Sequence, residues 1–284
     1  MNSRLRDYLA RTRNPDGGWP YLAGRQSRLE PTAWAMLALG DQAAARLLLG
    51  WRGRNGLILE PSVNALQHSF NAIAALALAS SDVGLADEGA SIACALLGRK
   101  GIQMKDHPAI KQDSSLQGWA WSEGSFSWAE PTAWCLLAVK KLCREQSMAR
   151  ARIDEAEQLL RDRMCAGGGW NYGNKEVYGK SLLPHVPPTA AGVLAFQDRR
   201  TEPFVKSAIG VLEKQGPREG SAAALAVTWL ALAAIQAPPS ALAAQLSKRV
   251  EPAEAVGNVA VIGMLLYVLE LTEKTARPTA FMLS

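Results

Sequence analysis

Stretches of two kinds alternate along the chain. Segments near 3–13, 41–50, 84–99, 150–164, 202–214 and 239–249 carry charge on most turns, with apolar residues at helical spacing. That spacing predicts helices with one face in water. Between them, segments near 31–40, 62–80, 131–144, 188–197, 221–236 and 253–272 are rich in Ala and Leu with almost no polar face. A helix apolar all round is buried on both sides. The alternation therefore predicts six outer and six inner helices, about 47 residues a pair. Stacked helix pairs must close on themselves or be capped to hide their ends. The expected fold is all-α: a closed (α/α)6 toroid, with residues 1–284 as a single domain.

A repeat runs through this alternation. Gly18-Trp19 is followed by Glu30-Pro31-Thr32-Ala33-Trp34, and Gly118-Trp119, at the same spacing, by Glu130-Pro131-Thr132-Ala133-Trp134. Gly50-Trp51 leads to Glu60-Pro61-Ser62, and Gly169-Trp170 to Pro187-Pro188-Thr189. Proline at the first helical position has its φ already set and gives up an N–H that would be unpaired anyway. A glutamate just before it sits where the helix dipole favours negative charge. Each copy thus reads as a loop followed by the start of an inner helix, and all the Gly-Trp loops fall at one end of the barrel. The last two helix pairs lack the signature.

Composition narrows the classes. Apolar residues make up 48% and charged ones 20% of the chain, which excludes wholesale disorder. Nine Trp stand against five Phe and five Tyr, an unusual skew. The net charge of +5 comes from Lys and Arg scattered in ones and twos, whereas nucleic acid calls for a concentrated basic stripe; no nucleic-acid partner is expected. No apolar leader and no long uncharged apolar run occur, so the expectation is a cytoplasmic chain without a membrane span, peripheral membrane contact staying open. Cys94, Cys135, Cys143 and Cys165 lie far apart without a CxxC, and read as buried free thiols of a reducing compartment.

The paired motifs Gly-Gly-Trp-Pro-Tyr with Glu-Pro-Thr-Ala-Trp-Ala-Met-Leu-Ala-Leu, and Gly-Gly-Gly-Trp-Asn-Tyr with Pro-Pro-Thr-Ala-Ala-Gly-Val-Leu-Ala-Phe, resemble the repeats of the prenyltransferase and squalene/hopene cyclase superfamily. The resemblance covers most of the first 200 residues. It implies the α/α toroid; activity is left open, because the superfamily holds cyclases, protein prenyltransferases and non-enzymatic domains. It also implies motifs that can be sought. The Asp-x-Asp-Asp acid of class II cyclases, the Asp-Asp-x-x-Asp of class I synthases, the Asp-x-Cys of zinc prenyltransferases and the Gly-Cys-Gly-Glu-Gln thioester are all absent. Neither a cofactor nor a metal site is expected.

The remaining candidates are set by position. Glu30, Glu60 and Glu130 repeat at the barrel mouth. They serve either as plain helix-start residues or as a general acid, since a carboxyl among Trp rings can be held protonated. Trp19, Trp51, Trp119 and Trp170 read as wedges between helix pairs. Trp121, Phe126 and Trp128, in the longest loop, and Tyr172 are candidates for lining a ligand site. In the second inner helix Asn64, Gln67, His68 and Asn71 form one polar stripe. That stripe is either mutually satisfied in the core or faces the lumen, with His68 as a proton carrier and Leu66, Ile73 and Leu76 packed outward. His107 and His185 read as loop residues. These features point to a toroid that acts on or binds an isoprenoid or similar apolar molecule in its central cavity. Two alternatives stand beside it: a non-catalytic binding or interaction module, and a carbohydrate-active (α/α)6 enzyme using the mouth carboxylates.

Overall fold

The computed structural model describes residues 1–61, 66–236 and 239–283. Six inner helices form a ring: α2 (Leu29–Leu39), α4 (His68–Leu78), α6 (Ala129–Leu142), α8 (Val186–Ala195), α10 (Ala222–Ile235) and α13 (Val259–Glu273). Each packs on the next, and α13 packs on α2 to close the ring. Outside lie α1 (Asn2–Thr12), α3 (Gln42–Gly50), α5 (Ala86–Leu96), α7 (Ala149–Asp162), α9 (Pro203–Gln215) and α11 (Ser240–Ser247). Each outer helix from α3 to α11 packs on the inner helix preceding it in the chain, whereas α1 packs on α13, so the two ends of the chain share one helix pair. The expected all-α toroid is the observed fold. A short helix, α12 (Val250–Val256), splits off what reads in the sequence as the start of the last inner helix, because Gly257 takes a left-handed conformation there. The strands described are β1 (Glu176–Val177) and β2 (Lys180–Ser181), a hairpin in one mouth loop.

The repeat is held by one recurring clasp. Trp19, Trp119 and Trp170 are fully buried. The hydroxyl of Thr32 accepts from the Trp19 backbone N–H at 2.9 Å and donates to the Trp19 carbonyl at 3.2 Å. Thr132 does the same for Trp119, at 3.0 and 3.2 Å, and Thr189 for Trp170, at 3.0 and 3.1 Å. Each indole N–H donates to the last turn of an outer helix: Trp19 to Leu9 O, Trp119 to Leu96 O, Trp170 to Leu160 O. The Trp thus joins an inner-helix start to an outer-helix end, and every buried polar group on it is paired. The glycine before it has no room for a side chain; a methyl on Gly118 would collide with Thr132.

The second repeat keeps the clasp with other residues. The Asn71 side chain accepts from Ile58 N at 2.7 Å and donates to Ile58 O at 2.9 Å. Ile58 therefore stands where Trp19 and Trp119 stand, and Asn71 where the threonines stand. Trp51 is half-exposed and takes no part, which corrects its reading as a wedge. The helix expected at 62–80 starts six residues later, at His68.

The cysteine expectation holds for Cys135 and Cys165, which are free and buried. Cys94 and Cys143 instead form a disulfide between α5 and the end of α6, with their Cα atoms 5.4 Å apart. The two are far apart in sequence, and only the α5–α6 packing brings them into range. Such a bond is at odds with the reducing compartment expected from the sequence. No helix among the described residues is long and apolar enough to cross a membrane.

Removing the Thr132 hydroxyl leaves the buried Trp119 N–H unpaired, while the Trp119 carbonyl keeps the Trp128 N–H. Thr132→Val should therefore lower stability by about 1–3 kcal/mol, with Thr132→Ser close to the wild type. Urea unfolding of the two variants checks this; equal stability of both would show that shape alone holds the repeat.

Candidate active site

The clasp fixes the height of α2, α4, α6 and α8, so the second residue of each reaches the same level. Those residues are Glu30 in α2, Ser69 in α4, Glu130 in α6 and Pro187 in α8. All four line a central cavity of about 300 Å³. One turn deeper, Trp34, Ile73 and Trp134 line it from α2, α4 and α6. Phe70, Ala223, Ala224, Val227 and Met264 complete the wall, with Ser221 and Trp121 contributed by the loops. All six inner helices touch this space, and its surface is largely apolar.

The two glutamates do not precede their helices, as Glu-Pro at a helix start suggests; both lie within the first turn and project into the ring. Burial dominates their chemistry. It pushes the Glu30 carboxyl up to about 7; the Tyr21 hydrogen bond opposes the rise, and the charge of Glu60 adds to it. Burial likewise pushes Glu130 up to about 7; Trp134 opposes this, and the Glu30 charge adds to it. Both carboxyls line the same cavity, and the Glu30 charge bears on Glu130. The Tyr21 hydroxyl donates to Glu30 Oε2 at 2.5 Å, which favours the ionised form of Glu30, as the Trp134 contact favours that of Glu130.

Glu60 does other work. It is fully buried, pairs with Arg28 at 2.5 Å and accepts from Leu29 N at 3.1 Å, capping α2. The loop residue two places beyond each clasp performs this capping around the ring. Trp121 O accepts from His68 N, Tyr172 O from Ala129 N and Tyr21 O from Val259 N. Glu60, two places beyond Ile58, uses its side chain instead.

The polar stripe divides. Asn64 lies outside the described residues. Asn71 is spent on the Ile58 clasp and also donates to Gln67 O at 2.9 Å. Gln67 precedes the helix and pairs with Ser122 in a β-bridge. His68 is 1% exposed; its Nδ1 accepts from Ala120 N at 3.2 Å and its Nε2 has no partner. Burial lowers its pKa to about 4, so it is neutral near pH 7. Neither Gln67, His68 nor Asn71 lines the cavity, and Ile73, expected to pack outward, does. Gln67, His68 and Asn71 face the mouth loops, where Ser122, Ala120 and Ile58 meet them.

Among the aromatic candidates, Trp121 lines the cavity. Phe126 is exposed, Trp128 precedes α6 with its ring against Gly173, and Tyr172 is exposed and packs on the His185 ring at 5.5 Å. Trp34, Ser69, Phe70 and Trp134 are the site residues that sequence reasoning passes over. A signal for the two tryptophans was present: each stands four residues after a mouth glutamate, on the same helix face. No group of His, Cys, Asp and Glu that could hold a metal ion occurs among the described residues.

No protein-family model matches this chain, and no curated protein matches it significantly. Solved structures do. The type II terpene cyclase MstE from Scytonema is 14% identical over 96% of this chain and 97% of its own, with a TM-score of 0.57. A protein from Actinoplanes is 15% identical over 96% and 98%, with a TM-score of 0.58. A variant of MstE bound to its substrate, geranylgeranyl dihydroxybenzoate, is 18% identical over 93% and 76%, with a TM-score of 0.51. At these identities the likeness establishes a shared terpene cyclase-like toroid.

A carboxyl raised from 4.5 to about 7 keeps a proton on folding that the unfolded chain releases. Stability contributed by the pair is therefore present below about pH 4.5 and falls as pH rises towards 7. Glu130→Gln keeps the shape without the charge. It should flatten that slope and, at a pH of about 8, exceed the wild type by on the order of 1 kcal/mol. Urea unfolding across pH checks this, and an unchanged slope would place both carboxyls in ordinary solvent.

Proposed function

We propose that this toroid binds a short isoprenoid or similar apolar molecule in its central cavity and isomerises it by acid–base catalysis. The observation that carries the reading is the pair of raised carboxyls, Glu30 and Glu130, facing one apolar, Trp-walled space. A cavity of about 300 Å³ stands at the small end of ligand sites. MstE, whose substrate geranylgeranyl dihydroxybenzoate carries a geranylgeranyl chain, supports a prenyl ligand on the same fold.

In this reading the Glu130 O–H transfers its proton to one carbon of a ligand alkene, whose π pair becomes the new C–H bond. The other alkene carbon is left as a tertiary cation. Trp34, Trp121 and Trp134 face it with the negative sides of their rings. A second alkene in the ligand attacks that cation, closing a C–C bond and moving the charge. Loss of a neighbouring proton to the Glu30 carboxylate restores a double bond. The proton then returns from Glu30 to Glu130. The net change is an isomerisation, without oxidant or leaving group. Tyr21 is a positioning residue here, holding Glu30 in the ionised form that receives the proton.

The carbohydrate alternative is less well supported, because sugar hydroxyls need many partners and the polar lining is confined to Glu30, Glu130, Ser69 and Ser221. The non-catalytic alternative differs only in the chemistry. Incubation with farnesol or geraniol should give a cyclic isomer detectable by gas chromatography and mass spectrometry. Glu130→Gln should reduce its formation by about 10²–10⁴-fold while ligand still binds. Binding without product in the wild type would assign the chain to the non-catalytic class.

A further inference from the structure

Behind the two tryptophans that line the cavity lies the segment that follows α13. After α13 the backbone turns back under the ring, and a short 3₁₀ turn, Thr279–Phe281, places Phe281 inside the barrel. Phe281 is fully buried. Its ring centroid lies 5.5 Å from Trp34, 5.9 Å from Trp134 and 6.0 Å from Tyr267. Trp34 and Trp134 are the same side chains that line the cavity from above. The turn also packs on α4 and α10, on opposite arcs of the ring. The tail is thus a stopper in the lumen, separated from the ligand space by two indole rings.

Its position is fixed by polar contacts. Lys141 donates to Thr279 O at 3.0 Å and to Met282 O at 2.5 Å. The Gln197 amide donates to Phe281 O at 2.7 Å and accepts from Leu283 N at 3.2 Å. Arg277 donates to Ala233 O and Ala234 O, two orphan carbonyls at the end of α10. Those contacts lock the backbone on both sides of Phe281, so its ring cannot retreat when a longer ligand presses on Trp34 and Trp134.

We propose that Phe281 is the length-determining residue of this cavity, setting how many isoprene units a ligand can place in the lumen. The inference rests on the apolar-ligand reading of the site and adds to it the size class: chains that end at the two tryptophans. A ligand one isoprene unit too long must displace a packed core. Overpacking of that kind is resisted in proteins, and a mismatch of even one methylene in a fitted pocket is worth about 10–200-fold in discrimination.

Titrate geraniol, farnesol and geranylgeraniol, each one isoprene unit longer than the last, into the wild type, Phe281→Leu and Phe281→Ala, following Trp fluorescence. The wild type should favour one of the shorter alcohols and bind geranylgeraniol at least about tenfold more weakly. Phe281→Ala should move the optimum up by one unit, with Phe281→Leu between. Identical length profiles in all three proteins overturn the stopper and leave the apolar-ligand reading standing. Binding of no alcohol by any of them overturns that reading itself. Crystals of Phe281→Leu and Phe281→Ala under xenon test the stopper without any isoprenoid. Xenon beside Trp34 and Trp134 in either variant, absent from the wild type, supports it. An unfilled lumen in both variants overturns it. Phe281→Leu keeps an apolar side chain in the lumen and remains measurable should Phe281→Ala fail to fold.

Discussion

One hydroxyl group, repeated, organises the molecule. Thr32, Thr132 and Thr189 each bond both backbone groups of a buried tryptophan, and the indole of that tryptophan reaches an outer helix. Inner helix, loop and outer helix are fixed together at a single point. Because the clasp sits at the fourth residue of its helix every time, the second residue always arrives at the mouth and the sixth one turn below. The catalytic proposal depends on this register. Glu30, Ser69, Glu130 and Pro187 form a ring since they share a place in the repeat, and Trp34, Ile73 and Trp134 form the next ring down.

The electrostatics follow from that geometry. A glutamate in the first turn of a helix ordinarily gains from the dipole and stays ionised in water. Here the same turn faces a space walled by indoles and aliphatic chains, and desolvation outweighs the dipole. Two such carboxyls line one cavity, and the charge of Glu30 makes that of Glu130 harder to place. Tyr21 bonds to the first of them. The stopper below has a complementary part: with Phe281 against Trp34 and Trp134, the apolar wall is closed beneath the carboxyls.

Much of the architecture was legible because the repeat writes it in a conspicuous residue. Gly-Trp followed by Pro-Thr marks three inner helices, and the all-round apolar runs mark the others. The second repeat hid its register: Ile58 and Asn71 replace Trp and Thr, while Gly50-Trp51 and Glu60-Pro61 imitate the motif a few residues early. That offset turned Asn71 and His68 toward the lumen on paper and toward the loops in the molecule. Trp34 and Trp134 escaped notice for the opposite reason, since a tryptophan in an apolar run looks like core. The Cys94–Cys143 bond and the Phe281 contacts join residues far apart in the chain, and no local pattern announces them.

The central claim is that burial in the cavity keeps Glu30 and Glu130 protonated far above the ordinary carboxyl range. Carbon-13 NMR of protein labelled at the glutamate carboxyl carbons, titrated with pH and assigned with Glu30→Gln and Glu130→Gln, tests it directly. The account predicts two carboxyl resonances that titrate well above the others, near 7, with Glu30→Gln lowering the pKa of Glu130. Titration of both groups independently near the ordinary 4.5 would contradict it.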